Sequence, residues 1–159
     1  MVLRVEGVAG VQGLAGRELG PTTWREITQD QVDLFAEATG DHQWIHVDRQ
    51  RAAASPLGGT IAHGHLTLSL LPSFLSEMVE VEGMAMKVNY GLNRVRFPTP
   101  VPVGGRVRAR ARVDRVDPIP GGIEVEISVT VEVEGQQKPA CVAQSLGRYY
   151  VEGITGGSA

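Results

Sequence analysis

An aspartate, a histidine and a histidine–glycine pair lie close together in one short stretch of the chain, residues 38–69. Asp41 and His46 are five positions apart, and His63-Gly64 follows a glycine-containing loop. Histidines and carboxylates are the side chains that most often transfer protons. A glycine that begins a helix can offer a backbone N–H to a developing negative charge. The stretch therefore predicts a site in which Asp41 and His46 handle protons while the Gly64 amide stabilises an oxyanion.

Two predicted helices frame these residues. Thr28–Gln31 has the form of a capping box, and apolar residues then recur at helical spacing until Gly40. The aspartate therefore follows directly after a helix. The second helix begins at the glycine of the His-Gly pair and is apolar on several sides, which is typical of a buried helix. It is expected to continue to about Glu80, and Pro72 should either kink it or lie where a neighbour supplies the hydrogen bond that the backbone loses.

After Met84 the hydrophobic period changes to that of strands. Residues 107–113 and 123–134 alternate between apolar and polar side chains, and 138–151 supply the last strand. An antiparallel sheet with one apolar face must bury that face, and the apolar helix is the candidate partner. The predicted fold class is α+β, an antiparallel sheet wrapped around a central helix. On the polar face, a row of arginines is expected opposite a second row, with ion pairs to its two glutamates. The rows are Arg108, Arg110 and Arg112, and Glu124, Glu126 and Ser128.

Composition limits the class of protein. The chain has 159 residues, a net charge of −3 and 42% apolar residues, which fits one domain with a real core and argues against a general nucleic-acid binder. The single cysteine, Cys141, cannot form an internal disulfide, which favours a reducing compartment. No signal-peptide pattern or membrane-length apolar run is present, so we interpret the chain as soluble and cytoplasmic. The expected organisation is an N-terminal loop extension (1–21), one domain (22–152) and a flexible tail (153–159).

The order of these motifs resembles the MaoC-like (R)-specific enoyl-CoA hydratase/dehydratase family, which has the hot-dog fold. The resemblance covers about residues 22–151, nearly the whole chain. Many relatives have Asn-Pro where this chain has Gln43 and Trp44, a departure that bears on the shape of the acyl pocket. The matching segments are Asp41–His46, Ile61–Gly64 with Ser69, and Arg96–Gly104.

The resemblance implies a hydro-lyase that hydrates trans-2-enoyl thioesters to 3-hydroxyacyl thioesters, or carries out the reverse dehydration. In that reaction Asp41 and His46 activate water and the Gly64 amide serves as the oxyanion donor. The resemblance also implies that Ser69 supports the pair through a hydrogen bond. From its position alone, His63 is expected to have a supporting role by packing or bonding at the helix start. It implies a homodimer, substrates carried on CoA or acyl carrier protein, and no cofactor.

Several alternatives remain open from the residues alone. An aspartate after a helix-ending glycine is often only a local backbone cap, and a serine within a helix often bonds the carbonyl four residues earlier. A zinc site using His46, His63 and His65 lacks a cysteine or second acid to complete a usual ligand set, so we expect no metal. Two other functions are a hot-dog thioesterase and a non-catalytic acyl-thioester binding subunit. A thioesterase commonly has an acid on the central helix, and residues 66–74 contain none.

Overall fold

Alternating apolar residues build long strands around a short helical core. The computed structural model describes residues 2–151, and the predicted tail 153–159 lies outside this range. The strands are β1 (Leu3–Glu6), β2 (Glu18–Leu19), β3 (Arg25–Glu26), β4 (Val79–Glu82), β5 (Met86–Arg96), β6 (Arg106–Ile119), β7 (Gly122–Val133) and β8 (Cys141–Tyr150). The helices are α1 (Gly7–Gln12), α2 (Gln29–Thr39), α3 (Trp44–Val47), α4 (Arg49–Ala53), α5 (Gly64–Ser69) and α6 (Leu71–Met78).

The main sheet is antiparallel and has the order β2-β6-β7-β8-β5, with β3 also paired to β6. Every second residue of β7, and of β6 as far as Val113, is buried, as the alternation predicts. These side chains pack with the buried residues of α5 and α6, so the helices cover the apolar face of the sheet. The predicted α+β architecture, a sheet wrapped around a central helix, is confirmed.

The central helix differs in detail from its prediction. It is divided into α5 and α6 by Leu70, and it ends at Met78 rather than near Glu80. Pro72 lies near the start of α6, where its missing N–H and fixed φ are tolerated. Leu66 on α5 and Phe74 on α6 are both buried, so both parts of the helix contribute to the core.

Residues 3–19 form more structure than a loop. Strand β1 pairs in parallel with β4, α1 follows it directly, and Val11 and Leu14 join the hydrophobic core. The glycines in this region permit close packing: a Cβ on Gly10 would lie 3.1 Å from Cβ of Val5. The prediction of a loop was therefore wrong, because it took glycine content as a sign of irregular backbone.

The polar face carries ion pairs as predicted, but with different partners. Arg112 lies opposite Ser128, while Arg108 and Arg110 lie opposite Glu132 and Thr130. The tight turn between Ile119 and Gly122 and a bulge after Val113 set this register, which sequence alternation alone does not specify. The observed pairs are Arg108–Glu132, Arg110–Glu132, Arg115–Glu126 and Arg148–Glu124.

The longest described helix, α2, has 11 residues. Within residues 2–151, no helix has both the length and the hydrophobicity needed to span a bilayer.

Candidate active site

Asp41 owes its position to the end of helix α2. The helix begins with the predicted capping box of Thr28 and Gln31, and it ends at Gly40, whose φ of 77° is accessible to glycine at little cost. Asp41 follows at once with an exposed side chain. One of its carboxylate oxygens accepts a long hydrogen bond of 3.4 Å from the Gln43 N–H. The carboxylate is therefore placed by the helix exit and still has open acceptor positions.

His46 lies on the short helix α3 and is buried, with 6% of its surface exposed. Its Nδ1 lies 2.7 Å from the carbonyl oxygen of Ile61. A carbonyl can only accept, so Nδ1 carries the proton and Nε2 carries a lone pair; this tautomer is assigned from the partner. The Gln29 side chain donates to the backbone carbonyl of His46 at 2.8 Å and accepts from the Thr60 hydroxyl. Backbone and ring are both held, and Nε2 is left available to accept a proton.

The surroundings of His46 keep its imidazole neutral. Burial lowers the pKa of His46 below 6.5, and the neighbouring His63 acts in the same direction. The Ile61 carbonyl and the Asp41 carboxylate oppose this effect but do not cancel it, so the pKa stays lowered. Near neutral pH the ring is therefore a proton acceptor rather than a cation.

Gly64 begins helix α5, directly after the buried His63. Among the described residues, no acceptor within the protein receives a hydrogen bond from the Gly64 N–H. The ring of Phe97 lies over this glycine so closely that a Cβ at position 64 would be 2.9 Å from two ring carbons. The position therefore provides an unpaired backbone donor beside an aromatic ring that leaves no room for a larger residue.

The fold brings the predicted residues together. One ligand atom from each of Asp41, His46 and His63 lies within 4.8 Å of the other two. The rings of His46 and His63 stack with centroids 3.8 Å apart. The carboxylate and the His46 ring do not bond directly, and their separation suits a shared water molecule. A cavity of about 440 Å³ opens here, lined by Phe35, Thr39, Asp41, His46, His63, Gly64, His65 and Ser69.

The same three side chains could be considered as metal ligands. Two histidines and a carboxylate are a suitable donor set for zinc. However, the two imidazole rings are stacked with planes that differ by only 23°, so their lone pairs lie in separate, nearly parallel planes and are poorly placed to meet at one ion. Each ring also has one nitrogen bound to a backbone carbonyl. The arrangement suits hydrogen bonding better than tetrahedral coordination, and the expectation of no metal stays a prediction.

The comparisons with known proteins agree with the resemblance seen in the sequence. The model of the MaoC like domain matches residues 11–135. The chain belongs to the MaoC-like dehydratase family. It is 55% identical over 145 residues to 3-hydroxyacyl-thioester dehydratase Z of Mycobacterium tuberculosis (strain H37Rv), covering 91% of this chain and 96% of the relative. It is also 47% identical to Nodulation protein N of Rhizobium leguminosarum bv. viciae, covering 86% of each chain.

Among solved structures, the R-hydratase PhaJ1 of Pseudomonas aeruginosa superposes with a TM-score of 0.69. At 20% identity, with 92% of this chain and 86% of that chain covered, this likeness shows the shared fold. The predicted hot-dog fold and the predicted family are confirmed, and so is an enzyme of the dehydratase class at the level of the family. The roles of individual residues in this MaoC-like chain stay predictions.

Ser69 does not bind as the resemblance implied. Its hydroxyl donates to the His65 carbonyl four residues earlier on α5, at 2.7 Å, instead of supporting Asp41 or His46. The local acceptor is always within reach of a helical serine, which explains why it is the partner here. Ser69 lines the cavity of this MaoC-like chain but does not order the pair.

Three contributors to the site were missed by the sequence analysis. Gln29 links α2 to the backbone of His46, the Ile61 carbonyl sets the tautomer of His46, and Phe35 packs at 4.9 Å against the His63 ring. Gln29 and Phe35 were seen only as a capping position and an apolar helix position. A backbone carbonyl has no sequence signal at all, because every residue carries one.

A second, more apolar cavity borders two residues of the candidate site, His46 and Gly64. It has a volume of about 280 Å³ and adjoins both His46 and Gly64. The remaining lining is mostly aliphatic and aromatic, and includes Ile45, Ile61, Phe97, Val101 and Ala140. His46 and Gly64 therefore lie where a polar cavity and an apolar one meet.

Proposed function

We propose that this chain catalyses the (R)-specific addition of water to trans-2-enoyl thioesters, giving 3-hydroxyacyl thioesters, and the reverse dehydration. The observation that carries the proposal is the approach of Asp41 and His46 within 4.8 Å at the cavity that also contains Gly64. The 55% identity to a 3-hydroxyacyl-thioester dehydratase over nearly the full length of both chains supports the substrate class.

The proton chemistry follows from the states of the two side chains. Water adds so that its oxygen forms a bond to Cβ of the enoyl group, while one proton is delivered to Cα. A water between the Asp41 carboxylate and the lone pair of His46 Nε2 is held by two acceptors, which orient its oxygen toward Cβ. Asp41 and His46 act as one coupled unit in taking and returning these protons. General acid–base catalysis of this kind contributes roughly 10²- to 10⁴-fold.

The Gly64 amide supplies the electrostatic part of the mechanism. As the oxygen attacks Cβ, electrons move onto the thioester carbonyl oxygen, and negative charge develops there. The N–H of Gly64 has no acceptor within the described protein, so it can bind this oxyanion without first breaking another bond. Losing a fixed donor of this sort costs about 3 kcal/mol of transition-state stabilisation.

One assay separates the proposed reaction from its alternatives. Purified protein is given crotonyl-CoA and longer trans-2-enoyl-CoAs, and loss of the enoyl absorbance is followed separately from release of free thiol. We expect the absorbance to fall without thiol release. Thiol release without hydration would indicate a thioesterase, and no change in either signal would indicate a binding subunit. Repeating the assay with the same acyl groups on acyl carrier protein distinguishes the two carriers.

We also propose that the functional unit is a homodimer. Strand β5 lies at the edge of the sheet and exposes large apolar side chains, including Tyr90 (54% exposed) and Leu92 (45%). An exposed apolar edge strand favours pairing with another strand, and a two-fold axis allows the same edge of a second copy to do this. Sedimentation at micromolar concentration should give twice the mass of the chain. The Leu92→Lys substitution should reduce the measured mass to that of one chain. A monomeric wild-type protein would contradict the homodimer.

A further inference from the structure

His63 contacts both of the proposed catalytic residues. Its Nε2 lies 2.9 Å from the backbone carbonyl oxygen of Asp41, and its ring stacks on the ring of His46. His63 is 3% exposed, and Phe35 packs against it. Because the Asp41 carbonyl can only accept, Nε2 is assigned as the protonated nitrogen and donates this hydrogen bond.

The other hydrogen bonds of Asp41 within the described chain are local. Its N–H donates to the Thr39 hydroxyl at 3.4 Å, and its carboxylate accepts from the Gln43 N–H at 3.4 Å. Both partners are two residues away: Thr39 is the last residue of α2, and Gln43 lies in the segment that follows. The bond from His63 comes from a residue 22 positions along the chain, at the beginning of the central helix. It is therefore the long-range hydrogen bond of Asp41 among the described residues, and it ties the exit of α2 to the central helix.

If the side chain at position 63 served only for packing, a histidine would destabilise the fold relative to an apolar ring. Its buried Nδ1 has no hydrogen-bond partner among the described residues. An unsatisfied buried polar atom destabilises a protein, whereas a phenylalanine ring would fill nearly the same space without one. What a histidine offers here, and a phenylalanine does not, is the Nε2–H donor to Asp41.

We infer that His63 is a positioning residue that ties Asp41 to His46 and sets the distance at which their side chains share one water molecule. This inference rests on the proposed hydration. Its hydrogen bond fixes the backbone at Asp41, and its ring face fixes the orientation of the His46 ring. His63 acts through these two residues and has no assigned contact with the substrate.

Two substitutions divide the contacts of His63. His63→Phe keeps a flat ring against His46 but removes the donor to Asp41. His63→Gln retains an N–H donor near the position of Nε2 but removes the ring. We expect kcat of His63→Phe to fall roughly 10²-fold, the size of effect produced by a misplacement of about 1 Å, with KM little changed. His63→Gln should be clearly more active than His63→Phe, although the melting temperature of His63→Phe should equal or exceed that of wild type.

The pH profile gives a second readout, which reports whether His63 lies against His46 in the active protein. The titratable groups that act on His46 are Asp41, which raises its pKa, and His63, which lowers it. In both variants the neighbouring imidazole is gone, so the pKa of His46 should rise. The acid limb of kcat/KM should therefore move to higher pH in both variants.

The outcomes separate this inference from the proposed function. Wild-type kcat in His63→Phe would overturn the inference, and so would equal losses of kcat in both variants or an acid limb that does not move. Asp41→Asn is measured beside them. If Asp41→Asn is inactive while His63→Phe is unaffected, the inference fails and the proposed function stands. If Asp41→Asn has wild-type turnover, the proposed function itself fails.

Discussion

The outer face of the sheet and the wall of the cavity both carry many ionisable side chains, but they satisfy them in different ways. On the sheet, arginines and glutamates bind one another across strands, as in Arg108 and Arg110 with Glu132 at 2.6 and 3.0 Å. In the cavity, His46 and His63 are instead bound to backbone carbonyls. The side chains of Asp41 and His46 come close without bonding each other.

The difference shows how a protein can fix the position of reactive side chains while it leaves their reactive atoms unbound. A side chain that binds an opposite charge has used the atoms that would do chemistry, and exposed pairs of this kind contribute little to stability. An imidazole held at Nδ1 by a carbonyl has a fixed ring and still presents Nε2 to the solvent cavity. We therefore expect substitutions in the cavity to lower activity with little change in stability. Substitutions on the outer face of the sheet should lower stability with little change in activity.

The largest expected effect is the loss of activity when either member of the proposed catalytic pair, Asp41 and His46, is changed. Asp41→Asn and His46→Gln should each lower kcat/KM for hydration by roughly 10²- to 10⁴-fold, because each removes one proton-handling group. The melting temperature of Asp41→Asn should stay near that of wild type, since the Asp41 carboxylate is exposed. His42→Gln is the matched control, because His42 is adjacent and exposed but outside the cluster. Wild-type turnover in either variant would remove that residue from the mechanism.

The next effect tests the Gly64 amide apart from the space around it. Both Ala and Pro add a Cβ that meets Phe97, so both are made in a Phe97→Ala background. Proline fits the first position of a helix, and His63 already has the extended backbone (φ −59°, ψ 136°) that a following proline requires. Gly64→Pro then differs from Gly64→Ala chiefly by the missing N–H. We expect kcat of the proline variant to be roughly 10²-fold lower than that of the alanine variant.

Equal kcat values for these two variants would show that the Gly64 amide does not bind the oxyanion. The single Phe97→Ala variant sets the reference rate, since the loss of the ring also enlarges the apolar cavity. Circular dichroism of all three proteins establishes that helix α5 is retained.

A smaller effect concerns pH. Because burial lowers the pKa of His46, hydration should stay fully active as pH falls to about 6.5 and decline only below that value. The folded state also binds fewer protons at this ring than the unfolded state does, so the free energy of unfolding should rise with pH between the lowered pKa and about 6.5. His46→Gln should flatten this part of the stability profile. An acid limb above pH 6.5 in wild type would contradict the assignment.

The sequence offered candidate site residues that the fold brings close together, but it did not offer the contacts that hold them. The type and spacing of Asp41, His46 and Gly64 follow from local signals such as a capping box, a helix-ending glycine and a buried helix start. Each signal lies within a few residues, so it can be read without the fold. The carbonyl partners of His46 and His63, and the Gln29 side chain that holds the His46 backbone, depend on segments 15 to 22 residues apart.

The sheet shows the same division between local and long-range information. Alternation predicted the strands and the buried face correctly, because the period of two is a local property. It did not predict which charges meet, because a bulge after Val113 and the turn at Gly122 shift the register. The hydrogen bond of Ser69 has a related explanation. Its hydroxyl donates to the carbonyl of His65, four residues earlier on the same helix, and not to Asp41 or His46.

The smallest effect tests the other side of the comparison, the ion pairs of the sheet. Burial acts to raise the pKa of Glu132, but hydrogen bonds from Arg108 and Arg110 outweigh it and lower that pKa below 4.5. Glu132→Gln should therefore cost about 0.5–1 kcal/mol in the free energy of unfolding near neutral pH, with kcat unchanged. This contribution is present above about pH 4.5 and disappears as pH falls through the lowered pKa, so the two proteins should converge in acid.

The matched control for Glu132→Gln is Glu82→Gln, which removes an exposed glutamate that has no arginine partner among the described residues. Denaturant unfolding at several pH values, beside the hydration assay, measures both quantities for the two variants. A fall in kcat for Glu132→Gln would mean that charges on the outer face do reach the site. In that case, the ion pairs on the outer face of the sheet would influence activity in the cavity. The two regions could then not be treated as independent.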